Sequence, residues 1–163
     1  MIAMRRVTLL VCGEPMRGDD AVADRIVGRL PATTRALAEV CHVGALMPDD
    51  LIGAGSPVIV VDAVHGLPAG SVIDLPIEAL GELVEAGVAP GSTHALPLPM
   101  VLGLVEQLAG GLPEGRFVGV AGAAYGLGAP LSQDVVDALA PAAARLGHWI
   151  RVLAHARRLP ACA

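Results

Sequence analysis

The stretch Pro57-Val58-Ile59-Val60-Val61-Asp62 decides the fold class. Its four consecutive β-branched residues have restricted side-chain rotamers that suit a pleated strand. No polar residue interrupts them, so both faces of the strand need cover. Pro57 is tolerated at a strand's first position. An earlier run, Val7-Thr8-Leu9-Leu10-Val11-Cys12, has the same apolar character and stops at Gly13. Strands covered on both faces belong to parallel or mostly parallel sheets with helices on each side.

The segments between these runs supply the helices. Val22, Ile26, Val27 and Leu30 share one helical face, and Pro31 ends that helix. Ala36–Val43 reads as a second strand, weakened by Glu39 and His42, and Pro48–Ala54 as a short helix. Beyond Asp62, Ser71–Leu75 reads as a short edge strand after the Gly66–Gly70 turn, and Ile77–Ala86 as a helix. Leu98, Leu102, Val105 and Leu108 form a helical stripe that starts near Pro99, and Phe117–Ala121 is a further strand. The last helix starts at Ser132 as cap and carries Val135, Leu139, Ala142, Leu146, Trp149, Ile150 and Leu153 at 3- and 4-residue spacing. Pro141 interrupts it and is expected to kink it. The alternation predicts a layered α/β fold with a mostly parallel sheet. With no repeat, linker or low-complexity block, residues 1–163 are expected to form a single domain.

Composition narrows the function classes. Of 163 residues, 54% are hydrophobic but only 2% aromatic, so the core is aliphatic. The net charge is −5, and all 11 basic residues are Arg. Disorder requires the opposite balance. Nucleic-acid binding requires a basic stripe with stacking aromatics, and none is present. The longest run without Asp, Glu, Lys or Arg, Ala86–Val105, holds three prolines and three glycines and is not expected to span a membrane. Arg5-Arg6 and the apolar run after it resemble the start of a signal peptide, but Glu14 cuts the run short; a buried strand fits it better. Cys12, Cys41 and Cys162 follow no metal or redox spacing and read as free thiols of a cytoplasmic protein.

The turn Gly13-Glu14-Pro15-Met16-Arg17-Gly18-Asp19-Asp20 joins the first strand to the first helix. In nucleotide-binding folds this turn is glycine-rich and cradles phosphate. Here the glycine spacing is wrong for either phosphate motif, and three carboxylates would repel an anion but hold a cation. The structural alternative makes Asp19 an N-cap and Asp20 a first-turn charge. Asp62, at the end of an apolar strand, is costly to bury unless paired, metal-bound or facing a cleft; otherwise it caps the following loop. His94, in Gly91-Ser92-Thr93-His94 before a helix, is held neutral by the helix dipole, as metal binding requires, or is simply a loop histidine. His65 follows Asp62 closely enough to line the same cleft. His42 has no evident partner, while His148 and His155 read as solvated helix surface. Asp20, Asp62 and His94 each fall at a loop that one edge of a parallel sheet can gather. Two carboxylates and an imidazole suit Ni, Zn, Mn or Fe with open positions.

Three motifs together resemble the hydrogenase maturation endopeptidases. The first is the strand followed by Gly13-Glu14, four residues, Asp19-Asp20 and an amphipathic helix. The second is Val60-Val61-Asp62-Ala63. The third is Ser92-Thr93-His94 before Leu96-Pro97-Leu98; Leu131-Ser132 also resembles the family's entry to the last helix. Glu14 stands where the family has Asn, Ala21 and Ala23 where it has Gly, and a usual proline near Gly119–Ala121 is missing.

The resemblance implies a twisted five-stranded sheet between helix layers. It implies an aspartyl-type endopeptidase that removes the C-terminal extension of a [NiFe]-hydrogenase large-subunit precursor. Asp20, Asp62 and His94 would bind nickel already seated in that substrate. Either the metal polarises the carbonyl or activates a water, or an Asp acts as general base and the metal serves recognition alone. The rival reading is a non-proteolytic assembly factor that senses metal loading.

Overall fold

The computed structural model describes residues 6–55, 57–90 and 96–156. Strand β1 (Val7–Cys12) leads through a 3-10 turn (Gly18–Ala21) into helix α1 (Val22–Gly28). A short α2 (Ala32–Arg35), β2 (Ala38–Gly44), α3 (Pro48–Gly53) and β3 (Val58–His65) follow. Then come β4 (Val72–Pro76), α4 (Leu80–Glu85), the two-residue β5 (Ala89–Pro90), α5 (Leu98–Ala109), β6 (Gly115–Ala121) and α6 (Gln133–His155). The sheet order is β2-β1-β3-β6-β4. β1, β2, β3 and β6 are mutually parallel; β4 joins the edge antiparallel to β6. The architecture is the expected α/β sandwich of helices on a mostly parallel five-stranded sheet. To it β5 adds a short antiparallel pairing with Val64 and His65 of β3.

Alternation along the central strands sorts the core into two layers. Leu9, Val11, Ile59, Val61, Val118 and Val120 face α1 and α6, which supply Ile26, Leu139, Leu146 and Ile150. Leu10, Cys12, Val60, Val64 and Phe117 face the other way, against Leu51 of α3, Leu80 of α4 and Val101 and Val105 of α5. Phe117 is the one aromatic fully inside; the rest of the core is aliphatic, as the composition requires. β2 lies at the sheet edge and is half-exposed, which is why Glu39 and His42 are tolerated there.

Some expectations are corrected. β3 does not end at Asp62 but runs on to His65, because β6 pairs with it as far as Val64. Leu108 lies on the solvent side of α5 (69% exposed); Leu98, Val101, Leu102 and Val105 carry the buried stripe. α6 continues as a single 23-residue helix through Pro141, whose side chain is exposed on its outer face. His42 has a partner, Asp24, at 3.1 Å. No helix among the described residues is long and apolar enough to cross a membrane.

Candidate active site

The pairing of β1 with β3 stops at Val11–Val61. Asp62 is the next residue on β3, with its side chain on the same face as Val60, and it is only 3% exposed. Beyond Cys12, β1 gives way to the acidic turn, which folds back across the position a longer strand would fill. Gly13 makes that fold possible: its φ is +96°, and a Cβ there would collide with the Asp20 carbonyl oxygen. The Gly13 N–H donates to Gly44 O at 2.7 Å, and the Asp20 N–H to Arg17 O at 3.0 Å, closing the turn.

Asp20, on the 3-10 turn, is thereby brought close enough to Asp62, within β3, for its charge to act on that carboxyl. Asp20 Oδ2 accepts the Glu14 N–H at 2.8 Å. Its Oδ1 has no partner, and neither has Asp62 Oδ1; among the described residues these are the two buried side-chain polar atoms without one. Burial pushes the Asp62 carboxyl well above the usual carboxylate range, and the Asp20 charge pushes it further. Burial likewise raises the Cys12 thiol, assisted by the charges of Asp62, Asp50 and Asp20, which leaves it inert.

Asp19 does not cap the helix that follows it. The N-cap positions of the 3-10 turn and of α1 are Arg17 and Ala21, and neither makes a side-chain cap bond. Asp19 is instead wholly buried. Its Oδ2 accepts from the Ala123 N–H (2.8 Å), the Ala124 N–H (2.9 Å) and the Ser132 hydroxyl (2.8 Å), and its Oδ1 from the Ser132 N–H (2.7 Å). Burial opposes its ionisation, but these four donors outweigh it and hold the carboxyl below its ordinary value. One carboxylate thus ties the acidic turn to the loop after β6 and to the entry of α6.

Tyr125, on that same loop, was not singled out by sequence reading. Its hydroxyl donates to Val64 O at 3.1 Å, and its ring lies 4.3 Å from that of His65. Burial, aided by the charges of Asp19, Asp20 and Asp62, pushes its hydroxyl up to about 12. Being the only tyrosine in the chain was the one available signal. His65 is half-buried beside it and is not among the residues lining the cavity at Asp62. His148 packs edge-on against Trp149, and His155 contacts the Arg151 carbonyl; both stay on the helix surface. His94, with Ser92 and Thr93, lies outside the described residues. Among the described residues no group of three or more His, Cys, Asp or Glu side chains is placed to hold a metal. The Asp20–Asp62 pair is what the structure assembles.

No protein-family model matches the sequence, and no curated protein matches it. Solved structures do. The [NiFe] hydrogenase maturation protease HybD from Thermococcus kodakarensis superposes with a TM-score of 0.67 at 20% identity, over 88% of this chain and 97% of that one. The hydrogenase maturating endopeptidase HybD from E. coli gives 0.66 at 23%, over 86% and 89%. The [NiFe] hydrogenase maturation protease HycI from Thermococcus kodakarensis KOD1 gives 0.59 at 25%, over 92% and 95%. The chain has the fold of these hydrogenase maturation proteases over nearly its whole length.

Proposed function

We propose that the protein is a cytoplasmic endopeptidase that removes the C-terminal extension of a nickel-loaded [NiFe]-hydrogenase large-subunit precursor, with the substrate's nickel as its recognition element. The observation that carries this reading is the pair of unpartnered oxygens, Asp20 Oδ1 and Asp62 Oδ1. Burying even a neutral polar group without a hydrogen-bond partner costs ~2–7 kcal/mol on transfer scales, and an ionised carboxylate costs more. A cation arriving with the substrate offsets that cost at both residues. His94 completes a donor set of two carboxylates and one imidazole, which nickel accepts. The likeness to maturation proteases, which bear that name for their action on hydrogenases, supports the same substrate class. Free Cys12 and Cys41 agree with a reducing compartment.

When the substrate is bound, its nickel can polarise the scissile carbonyl or acidify a water. The chain's own groups divide the remaining work. The Glu14 N–H holds one oxygen of Asp20 and leaves the other for the cation. Where the nickel serves recognition alone, Asp62 is the carboxylate that takes the proton of the attacking water and passes it to the departing amine.

Coexpression with a nickel-loaded precursor, followed by the mass of the large subunit, tests this. The wild-type protein removes the tail; Asp20→Asn, Asp62→Asn and His94→Ala do not. Stable binding with no mass change in the wild type would instead identify a non-proteolytic assembly factor.

A further inference from the structure

An open cavity of about 270 Å³ adjoins Asp62 on the face covered by α4 and α5. Its floor is Val60, Val101 and Phe117, each about 1% exposed. Ala89 and Leu96 stand exposed at its rim, and Val84 is half-buried between. Among the described lining residues Asp62 is the one ionisable side chain, and it keeps an oxygen without a partner. We infer that this cavity is a specificity subsite that seats one aliphatic side chain of the cleaved peptide, next to the scissile bond.

The inference rests on the endopeptidase reading and adds the class of residue the site selects. Size limits the occupant. A cavity of about 150 Å³ holds one benzene, so this one holds a Leu-, Met- or Phe-sized group and falls below the common range for whole small-molecule ligands. Polarity limits it further. Apolar walls give an acidic or amide side chain no partners. At the mouth the unpartnered oxygen of Asp62 is open to an N–H or a cation. A peptide that presents an aliphatic side chain beside a bound metal meets both conditions. The rim residue Ala89 then governs access, since a larger side chain there fills the mouth without touching the buried floor.

Two measurements test the subsite independently of each other. The first titrates protein labelled at valine and leucine methyls with N-acetyl-leucinamide and, separately, N-acetyl-serinamide. Saturable shifts at Val60, Val84, Leu98 and Val101 are expected with the leucine compound only, and Ala89→Leu should abolish them while methyls of the α1–α6 layer keep their positions. The second measures cleavage of the nickel-loaded precursor, the cut being located from product masses. Ala89→Leu should lower kcat/KM about 10- to 100-fold. Replacing the substrate's aliphatic residue at one flanking position by Asp should do the same, and the two losses should not multiply. Absence of saturable shifts in the wild type, equal binding of the serine compound, or undiminished cleavage by Ala89→Leu would each overturn the subsite. Failure of the wild type to cleave any precursor counts against the endopeptidase reading alone, and the titration then decides whether the cavity selects aliphatic groups.

Discussion

The hydroxyl of Ser132 donates to Asp19 Oδ2 at 2.8 Å, so the N-cap residue of α6 closes a clamp on the acidic turn instead of capping its own helix. Helix entry and turn are thereby held by one carboxylate, more than a hundred residues distant in sequence.

Removing that carboxylate should loosen both. Asp19→Ala leaves three part-buried backbone N–H groups without their acceptor and should cost about 3 kcal/mol of unfolding free energy. Asp19→Asn keeps only part of the acceptor capacity and should cost less. The folded carboxyl lies below its ordinary value of 3.8, so its contribution is present above that pH and is lost as pH falls through the folded value. Urea unfolding across pH should therefore show the gap between wild type and Asp19→Asn closing below about pH 4.

Asp62 should behave in the opposite sense. Its folded carboxyl is raised, so the unfolded chain ionises first; stability falls as pH rises from 3.8 through the folded value and stays low above it. In chelator-treated protein, Asp62→Asn should be more stable than wild type at neutral pH, on the order of 1–3 kcal/mol, with the gain vanishing below about pH 4. The same variant should process no precursor. A loss of stability at neutral pH would contradict the burial cost assigned to this group.

Gly13→Ala should deform the turn that carries Asp20. The new Cβ meets the Asp20 carbonyl oxygen, and φ +96° is strained for an L-residue. A destabilisation of about 1–3 kcal/mol is expected, read by thermal melts, together with loss of precursor processing.

The single tryptophan reports on the far edge of the sheet. Trp149 Nε1 donates to Asp74 Oδ2 at 2.6 Å, and the Arg116 guanidinium, paired with Asp74 at 2.6 Å, stacks 3.8 Å over the indole. Trp149→Phe should cost about 1 kcal/mol, and Arg116→Ala more, since it leaves a nearly buried carboxylate with its main partner gone. Fluorescence and circular dichroism should give coincident unfolding curves in the wild type if α6 and the β4–β6 edge melt with the whole sheet.

Most of the architecture was legible because it follows from local pattern. Val58–Val61 and Val7–Cys12 announce doubly covered strands, and the stripe from Val135 to Leu153 announces the last helix. The acidic residues Asp20 and Asp62 could be singled out because carboxylates are costly in apolar surroundings. Long-range partnership was not legible. Nothing near Asp19 tells that its donors sit at Ala123, Ala124 and Ser132, and the same spacing serves an ordinary N-cap. Tyr125 and the β5 pairing were missed for the same reason: each depends on which distant backbone lies alongside. Leu108 fitted the helical period, but α5 ends at Ala109, and none of the described residues covers its last turn.

The overhang of β3 beyond β1 has a consequence for how this scaffold can change. The cleft is a notch cut by unequal strand lengths, and its depth is inherited from the register in which Val11 meets Val61. Loops other than the acidic turn and its partner loop after β6 can be exchanged without altering where the two acids stand. Lengthening β1 by a single paired residue would place a strand where the turn now folds back, and the notch would close.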